Sequence, residues 1–306
     1  MQYSQRGFTL VELMVSLVLG LIIVAAATML FIAGQKSFAL QQGASDIQDN
    51  ANFALNYMTK DIRMANLNAV TATMTASSAN GGIVFSTTNL AGVASSAVSK
   101  REVSNTSNVN VGSDQLVIQY LPTQAQIDSG LFDCEGTQVT DASVYVIERY
   151  FVRQDDNLNS NETSATALAL ACDAGRATSA GIMTFSPASS SLNFGLNGQI
   201  IMKRVDYFRV LLTVQNSAGN FQDMTIAQYT TYAQTNPTTR IVGVKLGVLV
   251  RSNQSVGVDS NIDLTKSFTV LDQSVTLNST VKNAQSKNLR QVITQTIAIR
   301  NALGGR

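Results

Sequence analysis

Cys134 and Cys172 are the only thiols in the 306-residue sequence, and they lie too far apart for a CxxC redox or zinc motif. They read either as one disulfide, if this part of the chain occupies an oxidising compartment, or as two independent buried thiols. A bridge closing a loop of this length stabilises by about 4 kcal/mol in the chain-entropy treatment. Histidine is absent, which removes a Ser-His-Asp triad, a Cys-His pair, HExxH zinc chemistry and an imidazole base. No Walker-type GxxxxGKS/T loop and no GxGxxG turn after a strand occurs. In "DDNLNSNET", Asp155, Asn157, Asn159 and Asn161 alternate like the first ligands of a calcium loop, but Ser160 replaces the required Gly and Thr166 the bidentate Glu. One carboxylate followed by neutral amides binds weakly, so the stretch reads as a solvated loop. Asp155 and Asp156 are adjacent, and nothing aims them at a third group for acid–base work. No catalytic, cofactor-binding or metal-ligating residue is assigned, and the chain reads as a non-enzyme. The chemically odd residue is Glu12, at the start of the apolar run "RGFTLVELMVSLVLGLIIV".

Residues 13–33 are apolar apart from Ser16, Gly20 and Thr28. At 1.5 Å per residue they make a helix of about 30 Å, one bilayer core. A secretory signal should have a basic start, a shorter apolar stretch and an A-x-A-like site. Here the basic element is Arg6 alone, and no such site precedes Gln35. The formal net charge is +1 and 13% of residues are charged, with no basic run interleaved with aromatics. Direct nucleic-acid binding is therefore not expected.

The heptapeptide "RGFTLVE", residues 6–12, followed at once by the apolar run, resembles the leader and cleavage motif of type IV pilins and type II secretion pseudopilins. The resemblance implies a membrane peptidase that cuts between Gly7 and Phe8 and methylates Phe8, leaving Glu12 as the fifth mature residue. A carboxylate deep in a bilayer costs about 2.5–3.5 kcal/mol and needs a partner. Cleavage creates an amine at Phe8, four residues from Glu12 and on the same helix face. In a fibre a neighbouring subunit's amine can pair with Glu12 instead, which would set the axial register of otherwise sliding stems. "NYMTKDIRMAN" (56–66), "RIVGVKLGVLVRS" (240–252) and "TIAIRNAL" (296–303) are similar to PilW-type minor pilins, whereas residues 68–200 match no pattern of that kind.

These groups need elements to hold them. Leu40, Ala44, Ile47, Ala51, Leu55, Met58, Ile62 and Ala65 recur in steps of three and four and predict an amphipathic continuation of the helix. Gly34 and Gly43 are positions where it could bend; no proline precedes Pro122. Strands are predicted at 115–121, 143–152, 204–214 and 240–251, with 199–202 beginning the third, a short one at 83–85, and a last one in "RQVITQTIAIRNAL". Tyr145, Tyr150 and Phe151 read either as core or as an exposed contact patch, with alternation favouring core for some of them. The polar linkers 153–197 and 252–290 are too long for bare loops and should carry further elements.

The expected fold is α+β and pilin-like: a long N-terminal helix packed on a mostly antiparallel β-sheet head with long loops. Residues 1–7 form a removable leader, 8–66 the helix (8–33 transmembrane, 34–66 amphipathic), and 67–306 one periplasmic or extracellular head. What the resemblance implies is a minor pilin of a type IV pilus that initiates assembly and sits near the tip, since a head of this size is awkward in a densely repeated subunit. Its partners would be the prepilin peptidase, other minor pilins, the major pilin, the inner-membrane assembly platform and a tip adhesin. It would reside in the inner membrane before assembly and in the pilus afterwards. Two alternatives remain at this level: a minor pseudopilin of a type II secretion system, and a signal-anchored envelope binding protein that never polymerises.

Overall fold

The computed structural model describes residues 7, 9–159, 162–256, 262–283 and 287–302. The expected leader residues 1–6 and Phe8 lie outside the described residues, as do Ser160 and Asn161 of the calcium-like stretch. The chain opens as one helix, α1 (Leu10–Ile62), of 53 residues. Large apolar side chains along it, from Leu10 to Phe38, are exposed. The helix runs unbroken through Gly34 and Gly43, because one glycine costs a hydrogen-bonded helix only about 1 kcal/mol. Gly43 instead permits close approach: a Cβ there would stand 3.2 Å from that of Ser252.

Contact with the head begins at that glycine. Gly43, Ile47, Ala51, Ala54, Leu55, Met58 and Ile62 form the buried stripe. Leu40, placed on the same stripe from the sequence, is 38% exposed because the head starts one turn later. The helix also stops at Ile62, and residues 63–68 are turns, so Ala65 is buried beyond its end.

The first sheet contains β1 (Lys100–Val103), β2 (Ser113–Tyr120), β3 (Tyr145–Gln154), β4 (Leu168–Thr178) and β5 (Gly181–Ile182) in that order, with β6 (Gln199–Lys203) also paired to β4. A short helix α2 (Gln124–Asp128) joins β2 to β3. The second part supplies β7 (Val205–Gln215), β8 (Phe221–Thr225), α3 (Ile226–Thr235), β9 (Arg240–Arg251), β10 (Ser267–Val270), β11 (Gln273–Thr276), α4 (Ser279–Lys282) and β12 (Arg290–Ala298). Its sheet has the order β12-β9-β7-β8, and β10 and β11 form a separate hairpin. Every strand pair is antiparallel. The architecture is α+β, a long apolar helix on antiparallel sheets.

Residues 199–202 do not begin the third expected strand; they form β6 in the first sheet, while β7 belongs to the second. The chain changes sheets at Arg204, whose φ of 58° breaks the extended run. The buried Arg204 guanidinium holds this corner through Asp155 (2.6 Å) and Glu162 (2.8 Å). Residues 83–85 make only a bridge, Ile83 to Ile118, instead of a strand. The linker 153–197 hides β4, a central strand whose alanines and glycine lack the bulk that marks a strand in sequence. The other linker holds β10, β11 and α4.

A single apolar cluster draws on all three layers: Ile47, Met58 and Ile62 from α1, Leu116, Tyr150 and Leu170 from the first sheet, Phe208, Leu246 and Ile297 from the second. Tyr145 and Tyr150 are buried in the core, whereas Phe151 is half-buried with the Arg149 guanidinium 3.9 Å over its ring.

Candidate assembly site

The candidate residues fall into two places, the free end of α1 and its docked end. At the free end Thr9 is the N-cap, extended at φ −76° and ψ 151°. The Glu12 backbone N–H donates to Thr9 Oγ1 (3.3 Å), while the Thr9 N–H and hydroxyl both donate to Glu12 Oε2, each at 2.9 Å. This reciprocal capping box satisfies two orphan groups of the first turn and places a negative charge at the positive end of the helix dipole. Glu12 is thus engaged locally by the threonine three residues before it, and it is exposed, with no ion pair among the described residues. Gly7 is also exposed, with open space around it. Phe8 lies outside the described residues, so of the residues singled out at this end the structure brings together Glu12 and Thr9.

The apolar half of α1 is long and hydrophobic enough to cross a membrane, with mean hydropathy 2.8 over its best window and none of that window covered by the rest of the protein. With the sheets beginning to cover the helix only at Gly43, the chain is a bare apolar stem carrying a polar head.

At the docked end three kinds of contact fix the helix. Asn50 Nδ2 donates to the carbonyl of Lys203 (2.8 Å), and its Oδ1 accepts from the Lys203 N–H (3.3 Å), a two-point clip onto β6. Tyr57 donates from its hydroxyl to the carbonyl of Asp133 (3.1 Å). Asn301 Nδ2 lies 3.3–3.4 Å from the carbonyls of Arg63, Met64 and Ala65 just past the end of α1, where its two amide hydrogens are shared among them.

Cys134 and Cys172 are joined in a disulfide, with Cα atoms 6.1 Å apart across 38 residues of sequence. The bridge pins the loop carrying Asp133 onto β4. Within that loop Asp133 pairs with Arg176 (2.7 Å), the Cys134 N–H donates to Glu148 Oε1 (3.1 Å), and Glu135 accepts from the Ala174 N–H (3.1 Å). The calcium-like stretch does other work: Asp155 is committed to Arg204, and Glu162 binds both Arg204 and Arg251. Among the described residues no cluster of acids, thiols or imidazoles has a metal-holding arrangement.

Asp61 on α1 and Glu148 on β3 are both buried under the helix and face one tyrosine. The Tyr150 hydroxyl lies 2.9 Å from Glu148 Oε2 and 3.4 Å from Asp61 Oδ2. One phenolic proton can serve only one of them, so a protonated carboxyl must supply the other. Burial pushes Asp61 up to about 7, only partly offset by Lys60, and burial plus the Asp61 charge pushes Glu148 well above the usual range. Asp133, Tyr57 and Tyr120 also face this pocket, and the nearby cation Arg176 is taken by Asp133.

For carboxyls raised on folding, the native state binds more protons than the unfolded chain between pH of about 4 and 7. Stability is therefore fully present at the acid end and declines as pH rises through that window. Asp61→Asn keeps the shape and removes the charge. It should be more stable than the parent at about pH 8, by on the order of 2 kcal/mol, and less pH-dependent down to about pH 5. Urea unfolding of the full chain in detergent at both pH values measures this; an unchanged pH slope would show that Asp61 ionises freely. Sequence reasoning missed this pair because Asp61 and Glu148 are 87 residues apart and carry no motif.

With the geometry in place, comparison with known proteins adds the following. Residues 3–28 match the prokaryotic N-terminal methylation motif, and residues 175–301 match the type IV pilus-assembly protein W family. Among solved structures, the type IV-like pilin TTHA1219 from Thermus thermophilus is similar at 11% identity, covering 83% of this chain and 95% of that one with a TM-score of 0.36. That likeness is too slight to carry a functional argument. No curated protein matches the chain.

Proposed function

We propose that this chain, a type IV pilin-like protein with a prepilin methylation motif and a PilW-type region, is a minor pilin that joins other minor pilins to start pilus assembly and stays near the tip. The observation that carries the reading is the uncovered apolar helix ahead of a head docked from Gly43 onward. In lipid such a stem gains nothing by hydrophobic association, because acyl chains are as apolar as leucine; packing and polar pairing must select its neighbours. Once stems leave the lipid and bury one another, roughly 25 cal/mol per Å² of apolar area favours the bundle. Glu12 is the polar group placed to choose register within it, through the amine of a neighbouring subunit. The PilW-type region favours pilus assembly over the secretion pseudopilin, which shares the same stem. The partners that follow are the prepilin peptidase, sibling and major pilins, the inner-membrane platform and a tip adhesin. The head would be periplasmic before assembly and outside the cell afterwards.

Mass spectrometry of the amino terminus of the mature protein tests the reading. A chain beginning at Phe8 with one added methyl group is expected. A chain beginning at Met1, or cut after Ala33 or later, would leave a signal-anchored protein that does not polymerise.

A further inference from the structure

The edges of the two sheets are not treated alike. Unpaired backbone groups on an edge invite another strand, and proteins blunt such edges with short strands, charge, proline or bulges. The outer edges follow this pattern at β1, four residues reading KREV, at β5, two residues, and at β8, five residues containing Asp223. β12 does not. It has nine residues, pairs with β9 in unbroken register from Arg290 to Ala298, and from Gln291 onward carries no charge and no proline. Among the described residues its backbone hydrogen bonds go to β9 alone, so its other side offers a row of unused donors and acceptors.

A groove of about 580 Å³ lies beside this strand, between its Gln295 and the end of α1. Lys60, Arg63 and Arg300 line it, and no acidic residue does. All three cations are exposed, and none forms an ion pair among the described residues. No aromatic side chain lines the groove, so it lacks the stacking platform on which single-stranded nucleic acid is held.

We propose that the free edge of β12 receives an extended acidic segment from the head of a neighbouring pilin-type subunit. The segment adds as a further strand. Its backbone pairs with β12, and its carboxylates, on every second residue, reach Lys60, Arg63 and Arg300 across the groove. Strand addition supplies affinity through the main chain and specificity through alternate side chains. Only the identity of the partner rests on the assembly reading; the binding chemistry belongs to the edge and the groove.

The test uses the full chain in detergent and a fluorescent, end-blocked peptide, TEVEVEVT, read by anisotropy. Three comparison probes are a version N-methylated at alternate backbone nitrogens, the lysine version TKVKVKVT, and an oligo-dT of the same length. Saturable binding of the acidic peptide is expected, with roughly tenfold or greater weakening for the lysine probe and for the Arg63→Glu/Arg300→Glu double variant. The N-methylated probe should lose binding altogether. Because both arginines are exposed, the double variant should keep the parent's melting temperature, which separates a lost contact from lost folding. No binding of the acidic peptide, equal binding of acidic and lysine probes, full binding of the N-methylated probe, or tighter binding of oligo-dT would each overturn the proposal. Failure here, with Phe8 methylated and pili dependent on the chain, would reject this edge and leave the assembly reading intact.

Discussion

Glu12→Gln as the sole copy of the protein is expected to abolish or sharply reduce piliation, while cleavage after Gly7 should continue. The structure sharpens why glutamine is the informative substitution. Glu12 occupies the N3 position of a capping box with Thr9, and glutamine serves that position as well, since its amide oxygen accepts the same backbone hydrogen bond. The first turn of α1 is therefore preserved and only the charge is lost. Removing one member of a desolvated charge pair costs about 2–5 kcal/mol, of which 2.7 kcal/mol would be a hundredfold in an equilibrium at each step that uses it. Glu12→Ala removes the cap as well, and a further loss of about 1 kcal/mol of helix stability should accompany it. Electron microscopy of sheared pili, with immunoblots for processed protein, measures both effects. Normal piliation with Glu12→Gln would assign the carboxylate to helix capping alone and remove its role in register.

Joint replacement of Cys134 and Cys172 by alanine gives the second large effect. The bridge closes a 38-residue separation, for which loop closure alone predicts about 4 kcal/mol. The consequence should extend beyond the loop, because Asp133, next to Cys134, is where the Tyr57 hydroxyl of α1 attaches. The urea midpoint of the double variant should fall, as should that of the parent under a reducing agent that reaches the bond. Protease sensitivity near the end of α1 should rise in parallel. An unchanged midpoint would show that the Arg176–Asp133 pair and the Glu148 and Glu135 hydrogen bonds already hold the loop.

The stem was the most legible part of the sequence, because its signals are local: the RGFTLVE motif, an apolar stretch, then a stripe in steps of three and four. β2, β3, β7, β9 and β12 were also readable, since their valines, isoleucines and aromatics have strand spacing. What escaped depends on residues remote in sequence. β4 is read as a strand only when β3 and β6 flank it, for its own residues are small. The division between β6 and β7 turns on one arginine with positive φ, a conformation that its side-chain type does not advertise. The pair Asp61–Glu148 and the groove beside β12 arise from folding alone. Of the candidate site, the thiol pair and Glu12 were visible in advance, and the contacts that dock the stem were not.

The clasp formed by Asn301 has a consequence for biosynthesis. Its side chain reaches the carbonyl of Arg63 from a position 238 residues later. This contact can close the upper end of the stem only after residues as far as 301 have emerged. The last strand and the clasp beyond it thus tie the docked end of the stem to the most distant part of the head, so that the two ends of this fold close on each other late.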